Sequence, residues 1–338
     1  MANNPSVKET SIQDQDAWLV ENGVVSFTLV PGIGGKIYDL VYLPLNRNIL
    51  WHNPDLKLFQ VDFGASYDDA FMGGWDELFP NDEEAVFGDF QFPDHGEFWS
   101  IPWESSPVEE QEGVGISLSA TGPVSGVRIE KQVTLRAESP ILRIRHRLEH
   151  LGASRLPFLW KLHPAFHISP HHRIDLPGNK MKVETEYSSQ VGSGETEFQW
   201  PVYKDRNGRL TDFRIIPHPD NQTCFFGYAT QLEEGWFAIT DLRNDLGFAF
   251  SFPTSVFPTC WIFSSFGGWH SHYCMLIEPC SGFPYRLKEA VENGTCPMLE
   301  PGQVIEIETR GAFFRGLSEV SSVSTDGLVH GVRRLEKG

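Results

Sequence analysis

Alternating polar and apolar residues run through much of this chain, and this pattern constrains the fold more than any other feature. In segment 141–150, Leu142, Ile144 and Leu148 share one face, while three arginines and a glutamate occupy the other. Segment 127–136 alternates in the same way. A period of two residues is typical of half-buried strands in antiparallel sheets. Many such strands with glycine and proline turns, and no convincing long amphipathic helix, predict an all-β sandwich or barrel.

The sequence shows no internal boundary. No linker, composition shift or repeat of fixed period divides its 338 residues. All-β chains of this length often form one large domain. We therefore predict one β-sandwich domain over residues 17–316, with a loose polar N-terminal tail over 1–16 and a polar tail or edge element over 317–338.

Charge and cysteine content limit the classes of partner and the cellular compartment that we expect. A net charge of −18 argues against nucleic acids and anionic membranes as partners. No apolar run is long enough to span a bilayer, and the first residues lack the pattern of a secretory signal. The five cysteines are an odd number without C-x-x-C spacing, which is typical of reduced thiols. These features predict a cytoplasmic protein.

The segment 73–99 combines chain-breaking and aromatic residues. A Gly-Gly pair, two prolines and a further glycine argue against a long helix or a central strand here. The same segment is rich in tryptophan and phenylalanine, so we expect it to fold onto its own domain and line something concave. His95 precedes Gly96, whose missing side chain lets another group approach closely.

Two later stretches add proton-carrying groups. His163 lies in Trp160-Lys161-Leu162-His163-Pro164, and Glu278 follows an apolar strand and precedes a proline. We expect Lys161 and His163 to share a face of one strand, which Pro164 should end. Two histidines and a carboxylate are the usual minimum for moving protons at neutral pH.

Metal binding is not predicted. His270, His272 and Glu278 share a face by parity, but Glu278 lies six residues beyond His272, roughly 20 Å away in an extended strand. One ion cannot bind all three from a straight strand.

The order of these motifs along the chain resembles that of a known protein family. A His-Gly in an aromatic segment, H-P-x-F at residues 163–166, Glu278-Pro279, and Leu299-Glu300-Pro301-Gly302-Gln303 follow one another as in the aldose 1-epimerase (galactose mutarotase) superfamily. The resemblance extends from about residue 20 to 315. It implies the large antiparallel β-sandwich of the galactose mutarotase-like type, with a sugar bound in an open cleft on one sheet. It also implies that His163 is the general acid, Glu278 the general base, and His95 the second histidine of the site.

The sequence departs from that pattern at several positions. The Asn-Arg-Ile context of well-known galactose mutarotases is absent, and Glu97 rather than an arginine follows His95-Gly96. The missing arginine and the acidic balance favour a free aldose over a phosphosugar. Candidate substrate-binding residues are those with hydroxyl-binding groups, flat rings or an aspartate at a matching place: Asp76, Glu77, Lys161, Trp75, Trp261 and Asp220, with Asp241 as the second choice for the aspartate.

The implied activity is interconversion of sugar anomers. One group takes the proton of the anomeric hydroxyl, the other gives a proton to the ring oxygen, and the opened aldehyde rotates and closes again. No metal or nucleotide cofactor is required. Two alternatives remain open: a glycoside hydrolase with a carboxylate pair such as Glu77 and Glu278, and a carbohydrate-binding protein without turnover.

Overall fold

The computed structural model describes residues 4–110, 113–178 and 180–334. Strands account for 51% and helices for 5%, and the strands form large antiparallel sheets. The predicted all-β class is therefore confirmed.

The chain forms two compact units. Unit 1 comprises the described residues of Met1–Pro164 and Cys280–Glu308, and unit 2 those of Ala165–Pro279 and Thr309–Gly338. In each unit, strands of two antiparallel sheets contribute to the core.

The first sheet of unit 1 carries the residues of interest. Its strands neighbour one another in chain order, except that the short β5 pairs only with β4 on its side of the sheet. They are β1 (Ser6–Ile12), β2 (Gln15–Glu21), β3 (Val25–Val30), β4 (Lys36–Tyr42), β5 (Arg47–Asn48), β6 (Trp75–Leu78) and β14 (Lys161–His167), which begins in unit 1.

The second sheet of unit 1 packs its apolar face against the first. Its strands are β9 (Glu104–Glu110), β10 (Gly113–Thr121), β11 (Val127–Leu135), β12 (Ile141–His150) and the start of β26 (Val304–Phe314). Residues of β12 alternate strictly between buried and half-buried positions, with Leu142, Ile144 and Leu148 buried. The alternation predicted for segment 141–150 is thus confirmed. His146 and His150 occupy the same buried face.

Unit 2 repeats the two-sheet arrangement. One sheet contains β24 (Tyr273–Cys280), β23 (Thr259–Phe266), β20 (Thr223–Thr230), β16 (Lys180–Val183) and β17 (Glu197–Gln199), and the other β15 (His172–Asp175), β21 (Trp236–Asp241), β22 (Leu246–Ser251) and the end of β26. Phe166 lies in the last part of β14, which belongs to unit 2. Its ring contacts Phe237 of β21 and Phe248 of β22 at ring-centroid distances of 5.7 and 6.0 Å, so these side chains pack between the two sheets of the unit.

The remaining elements are short. They are β7 (Ala85–Phe87), β8 (Phe90–Phe92), β13 (Leu156–Pro157), β18 (Val202–Lys204), β19 (Leu210–Asp212), α1 (Leu287–Glu292), β25 (Met298–Leu299), β27 (Leu317–Val323), β28 (Val329–Arg333), and single 3-10 turns at Leu43–Leu45, Thr185–Tyr187 and Pro219–Asn221.

Both ends of the described chain are more regular than expected. Residues 6–12 form a strand that pairs along its full length with β2 instead of a loose tail. Backbone pairing orders this polar segment, which has no buried residue, and Ser6 and Lys8 add side-chain contacts with Glu21. Near the other end, β27 and β28 form a hairpin whose Val320 and Val323 pack on Trp236 in unit 2.

Strand β6 differs from the sequence prediction. It pairs with β4 at Trp75 and with β14 along four residues, so a central strand does lie within segment 73–99. The strand fits because Gly74 precedes it and Pro80 follows it, which leaves only non-breaking residues inside the ladder. Pro164 likewise does not end β14, which continues to His167.

Gly96 occupies a position that only glycine tolerates. Its φ is +77°, and a Cβ there would lie 2.1 Å from the carbonyl oxygen of Phe79. The close approach expected at Gly96 is therefore made by the backbone of Phe79, whose oxygen accepts a hydrogen bond from Glu97 N at 2.8 Å.

We expect Gly96→Ala to lower the free energy of unfolding by about 2 kcal/mol or more, because a left-handed backbone strains alanine and its Cβ has no space. Urea denaturation measures the loss. Gly88→Ala is the matched control, since Gly88 also has a positive φ but a Cβ added there would meet no atom within 4 Å. Equal losses for the two variants would contradict the steric argument.

Candidate functional site

The register of β6 and β14 places His163 opposite Asp76. Directly opposed residues of an antiparallel pair point to the same face, with Cβ atoms about 5 Å apart. By the alternation of strands, Lys161 shares this face with His163, whereas Trp75 and Glu77 point to the other face. The expected common face for Lys161 and His163 is present, and it includes Asp76.

Tyr67, from the segment between β5 and β6, lies between these groups. Its hydroxyl donates to Asp76 Oδ2 at 2.8 Å and lies 3.0 Å from His163 Nδ1. Its ring stacks on His95 with centroids 4.2 Å apart and meets His163 edge to face at 5.4 Å. The two imidazole centroids are 6.4 Å apart. We call Tyr67, Asp76, His95 and His163 the histidine cluster.

Asp76 is held by a buried lysine. Lys36 Nζ lies 2.6 Å from the Asp76 carboxylate and also donates to the carbonyl oxygen of Gly73 at 2.8 Å. Both side chains are nearly inaccessible to solvent. The ion pair fixes Asp76 as an acceptor for the Tyr67 hydroxyl.

His95 lies among acidic groups. Its Nδ1 is 2.8 Å from Asp94 Oδ1 and its Nε2 is 3.7 Å from Asp82 Oδ1. Burial disfavours the imidazolium, but the charge of Asp82 and the hydrogen bond with Asp94 outweigh it and raise the pKa of His95. Lys161 forms a buried ion pair with the same Asp82.

The pKa of His163 is shifted in the opposite direction. Burial, together with the positive charges of Lys161 and His95, holds its pKa well below the usual value. At neutral pH the cluster therefore combines a neutral imidazole at His163 with a second imidazole, at His95, that is more readily protonated. Two histidines with different protonation preferences are suited to acid–base chemistry.

Glu77 lies on the opposite face of β6, in the core of unit 1. Its Oε2 is 3.1 Å from His146 Nε2 and 3.4 Å from Lys131 Nζ, and its Oε1 accepts from Trp160 Nε1 at 2.6 Å. Burial alone would raise the pKa of Glu77, but these partners lower it to about 2. Glu77 is thus engaged in a core ion cluster and separated from Asp76 by strand parity.

The two tryptophans offer no open face. Trp75 is 3% exposed and points to the same side of β6 as Glu77, and Trp261 is fully buried. In unit 2, Trp261 packs edge-on against Tyr228 with centroids 4.9 Å apart. Both rings serve as core residues in this structure.

The aspartates proposed from the sequence lie in turns of unit 2. Asp220 sits in a 3-10 turn with its side chain 89% exposed, 3.1 Å from His218. Asp241 accepts from the backbone nitrogens of Arg243 and Asn244 at 2.9 and 3.0 Å, which stabilises the turn after β21. Glu278, near the end of β24, is also in unit 2 and is 1% exposed.

Tyr67 of the histidine cluster and several residues that contact the cluster were not predicted. Asp94 adjoins His95 in sequence, and this adjacency is the one local signal for its place beside the site. Tyr67, Lys36 and Asp82 carry no local sequence signal, because distant segments bring them to the histidines. Glu97, which follows the His-Gly pair, accepts from the backbone of Val124 and Ser125 and so fixes the turn between β10 and β11.

The described residues form neither a metal-binding cluster nor a membrane-spanning helix. No three His, Cys, Asp or Glu side chains in that part of the chain are arranged to hold a metal ion. Within the same residues, no helix has the length and apolarity to cross a membrane.

Comparison with known proteins decides the fold family. No protein-family model and no curated protein matches the sequence. Among solved structures, a galactose mutarotase-like protein from Clostridium acetobutylicum aligns with a TM-score of 0.69 and 14% identity, over 92% of this chain and 99% of that one. The chain has the galactose mutarotase-like fold.

Two further structures agree with this assignment. A candidate aldose 1-epimerase from Klebsiella pneumoniae aligns with a TM-score of 0.68 and 12% identity, over 93% of this chain and 85% of that one. A candidate aldose 1-epimerase from Escherichia coli K12 aligns with a TM-score of 0.60 and 16% identity, over 92% and 100%. The resemblance based on ordered motifs is thereby confirmed for the galactose mutarotase-like fold, and at these identities the likeness concerns the fold alone.

Proposed function

We propose that the protein is an aldose 1-epimerase-like enzyme that interconverts the α and β anomers of a free aldose. The observation that supports this most is the histidine cluster: two motif histidines with opposite protonation preferences are joined through Tyr67 on one face of a sheet of a mutarotase-like fold. Ring opening needs one group that gives a proton and one that takes it. The resemblance makes His163 the proton donor, but its low pKa leaves the imidazole mostly neutral at pH 7. His163 therefore has to take up a proton at Nε2 before it can give one to the ring oxygen, and His95, whose pKa is raised, is the more readily protonated neighbour.

Glu278 is the carboxylate that the sequence resemblance pairs with His163. Its role as the proton acceptor rests on that resemblance. Glu278→Gln keeps the size of the side chain and removes its basicity, so we expect the catalysed rate to fall to the background rate of the buffer. A folded Glu278→Gln protein with an unchanged rate would remove this residue from the mechanism.

The ion pairs around the cluster favour an uncharged sugar. Lys36 pairs with Asp76 and Lys161 with Asp82, so both lysine charges are compensated inside the protein. A phosphate group would need cations that are not already neutralised. We therefore propose free aldoses as substrates, with Asp76 and Lys161 as hydroxyl-binding groups.

Polarimetry tests the proposal directly. We expect the protein to accelerate the change in optical rotation of freshly dissolved α-glucose or α-galactose, and to act less on the corresponding 6-phosphates. Thermal stabilisation by a sugar without faster equilibration would show a binding protein instead. Release of reducing ends from an oligosaccharide would show a glycoside hydrolase, although the low pKa of Glu77 makes that carboxylate unsuitable as its general acid.

A further inference from the structure

Tyr67 contacts both histidines of the cluster and a carboxylate at once. Its hydroxyl oxygen lies between Asp76 Oδ2, at 2.8 Å, and His163 Nδ1, at 3.0 Å. Its ring covers the face of His95. Trp99 closes another side of the ring edge-on, with centroids 4.9 Å apart, so packing restricts the orientation of the phenol.

The single hydrogen of the Tyr67 hydroxyl group determines whether His163 Nδ1 is protonated. A tyrosine hydroxyl carries one hydrogen, and an ionised carboxylate can only accept. Asp76 is ion-paired with Lys36, so the Tyr67 hydrogen points to Asp76. The phenol oxygen then faces His163 Nδ1 with a lone pair, and a hydrogen bond between them requires the hydrogen to be on Nδ1.

We propose that Tyr67 is a positioning residue that keeps a hydrogen on Nδ1 of His163 and thereby makes Nε2 the nitrogen that exchanges protons with the sugar. The tautomer of His163 is a property of the protein whether or not a sugar reacts. The second part of the inference, that Nε2 exchanges protons with the sugar, rests on the proposed function.

The consequence for the reaction is a fixed geometry of proton transfer. Neutral His163 has its lone pair on Nε2, and the imidazolium carries its second hydrogen there. A proton that passes between the sugar and His163 therefore enters and leaves at Nε2, while Nδ1 stays bonded to Tyr67. Loss of the phenol oxygen would remove the hydrogen-bond acceptor that favours the hydrogen on Nδ1 and so weaken the preference for this tautomer.

The charges around His163 favour the neutral form in which the tautomer matters. Burial is the main cause of its low pKa, and the positive charges of Lys161, His95 and Lys36 lower it further. On the facing strand β6, Asp76 is an acidic group, and Lys36 forms an ion pair with it. The neutral ring is thus the resting state at pH 7, and the Asp76–Tyr67 pair selects which of its two tautomers is present.

Nuclear magnetic resonance of protein labelled with ¹⁵N-histidine tests the tautomer. We expect the nitrogens of His163, assigned by their absence in His163→Asn, to show a protonated Nδ1 and an unprotonated Nε2 at pH 7. In Tyr67→Phe, which keeps the ring and its packing, we expect these resonances to move toward a mixture of tautomers. A wild-type His163 with its hydrogen on Nε2, or an unchanged spectrum in Tyr67→Phe, would overturn the proposal.

Kinetics tests the link to turnover. We expect Tyr67→Phe to lower kcat for anomer interconversion by about 10²-fold with little change in KM, the scale of effect that misplacing a reacting group has. Tyr38→Phe is the matched control: Tyr38 stacks on His52 with centroids 3.8 Å apart, outside the cluster, and should leave both the His163 resonances and kcat unchanged. An equal loss of kcat in the two variants would overturn the positioning role. If the wild-type tautomer is as expected but no sugar is turned over, the proposed function fails and the hydrogen on Nδ1 stands.

Discussion

Replacing His163 with asparagine is expected to slow anomer interconversion by about 10²–10⁴-fold, the usual contribution of a positioned acid or base. Asparagine is polar and of similar reach, but it cannot exchange a proton near neutral pH. The measurement is the first-order decay of optical rotation of α-glucose or α-galactose at pH 7, corrected for the spontaneous rate in buffer.

The control for this variant is His218→Asn. His218 lies in a turn of unit 2 with its side chain 63% exposed, and its replacement should leave both rate and stability unchanged. Circular dichroism and thermal unfolding establish that His163→Asn remains folded. A folded His163→Asn protein with the wild-type rate would exclude His163 from the chemistry.

Replacing Glu77 with glutamine is expected to destabilise the fold by about 3–5 kcal/mol, the cost of removing one partner from a buried ion pair. Lys131 is 3% exposed and would keep its charge in the core without the carboxylate that faces it. His146 and Trp160 would each lose a charged acceptor at the same position. Urea denaturation at pH 7 measures the effect.

The same carboxylate predicts a pH dependence of stability. Folding lowers the pKa of Glu77 from 4.5 to about 2, so its contribution is complete above the pKa of the unfolded chain and is lost as the pH falls from about 4.5 to about 2. At about 1.4 kcal/mol per pKa unit, this contribution is about 3 kcal/mol. The unfolding free energy of Glu77→Gln should decline less than that of the wild type over this interval.

Glu130→Gln provides the comparison. Glu130 is on β11 next to Lys131 but faces outward, 3.1 Å from Arg128, with a side chain 37% exposed. An exposed pair of this kind contributes less than about 1 kcal/mol. Similar losses in the Glu77 and Glu130 variants would contradict the importance of the core ion cluster.

The strands that could be predicted are those whose side chains alternate. Segment 141–150 is predicted from its pattern alone and corresponds to β12. Strand β6 is not, because it is four residues long and lies between residues that interrupt strands. Its existence depends on two neighbouring strands that pair with it, and neither is close in sequence.

The candidate site divides in the same manner. His95 and His163 are identified from the ordered set of motifs that resembles the aldose 1-epimerase superfamily. Asp76 and Glu77 are adjacent in sequence, and both are predicted to bind the substrate. Because successive residues of a strand point to opposite faces, Glu77 lies in the core and Asp76 in the histidine cluster. The alternating pattern could have shown that Lys131 and His146 lie at buried positions and need a partner, but not that Glu77 is that partner.

By itself, the sequence determined the all-β class, the faces of its regular strands and the two histidines of the cluster. The class and the faces follow from period-two alternation, which acts between near neighbours, and the histidines from short motifs in a recognisable order. The tertiary structure alone decided that Tyr67 joins the two histidines, that Lys36 holds Asp76, and that Glu77 belongs to the core. Each of these contacts joins residues brought together by strand register and loop path, and such long-range pairing leaves no pattern in the local sequence.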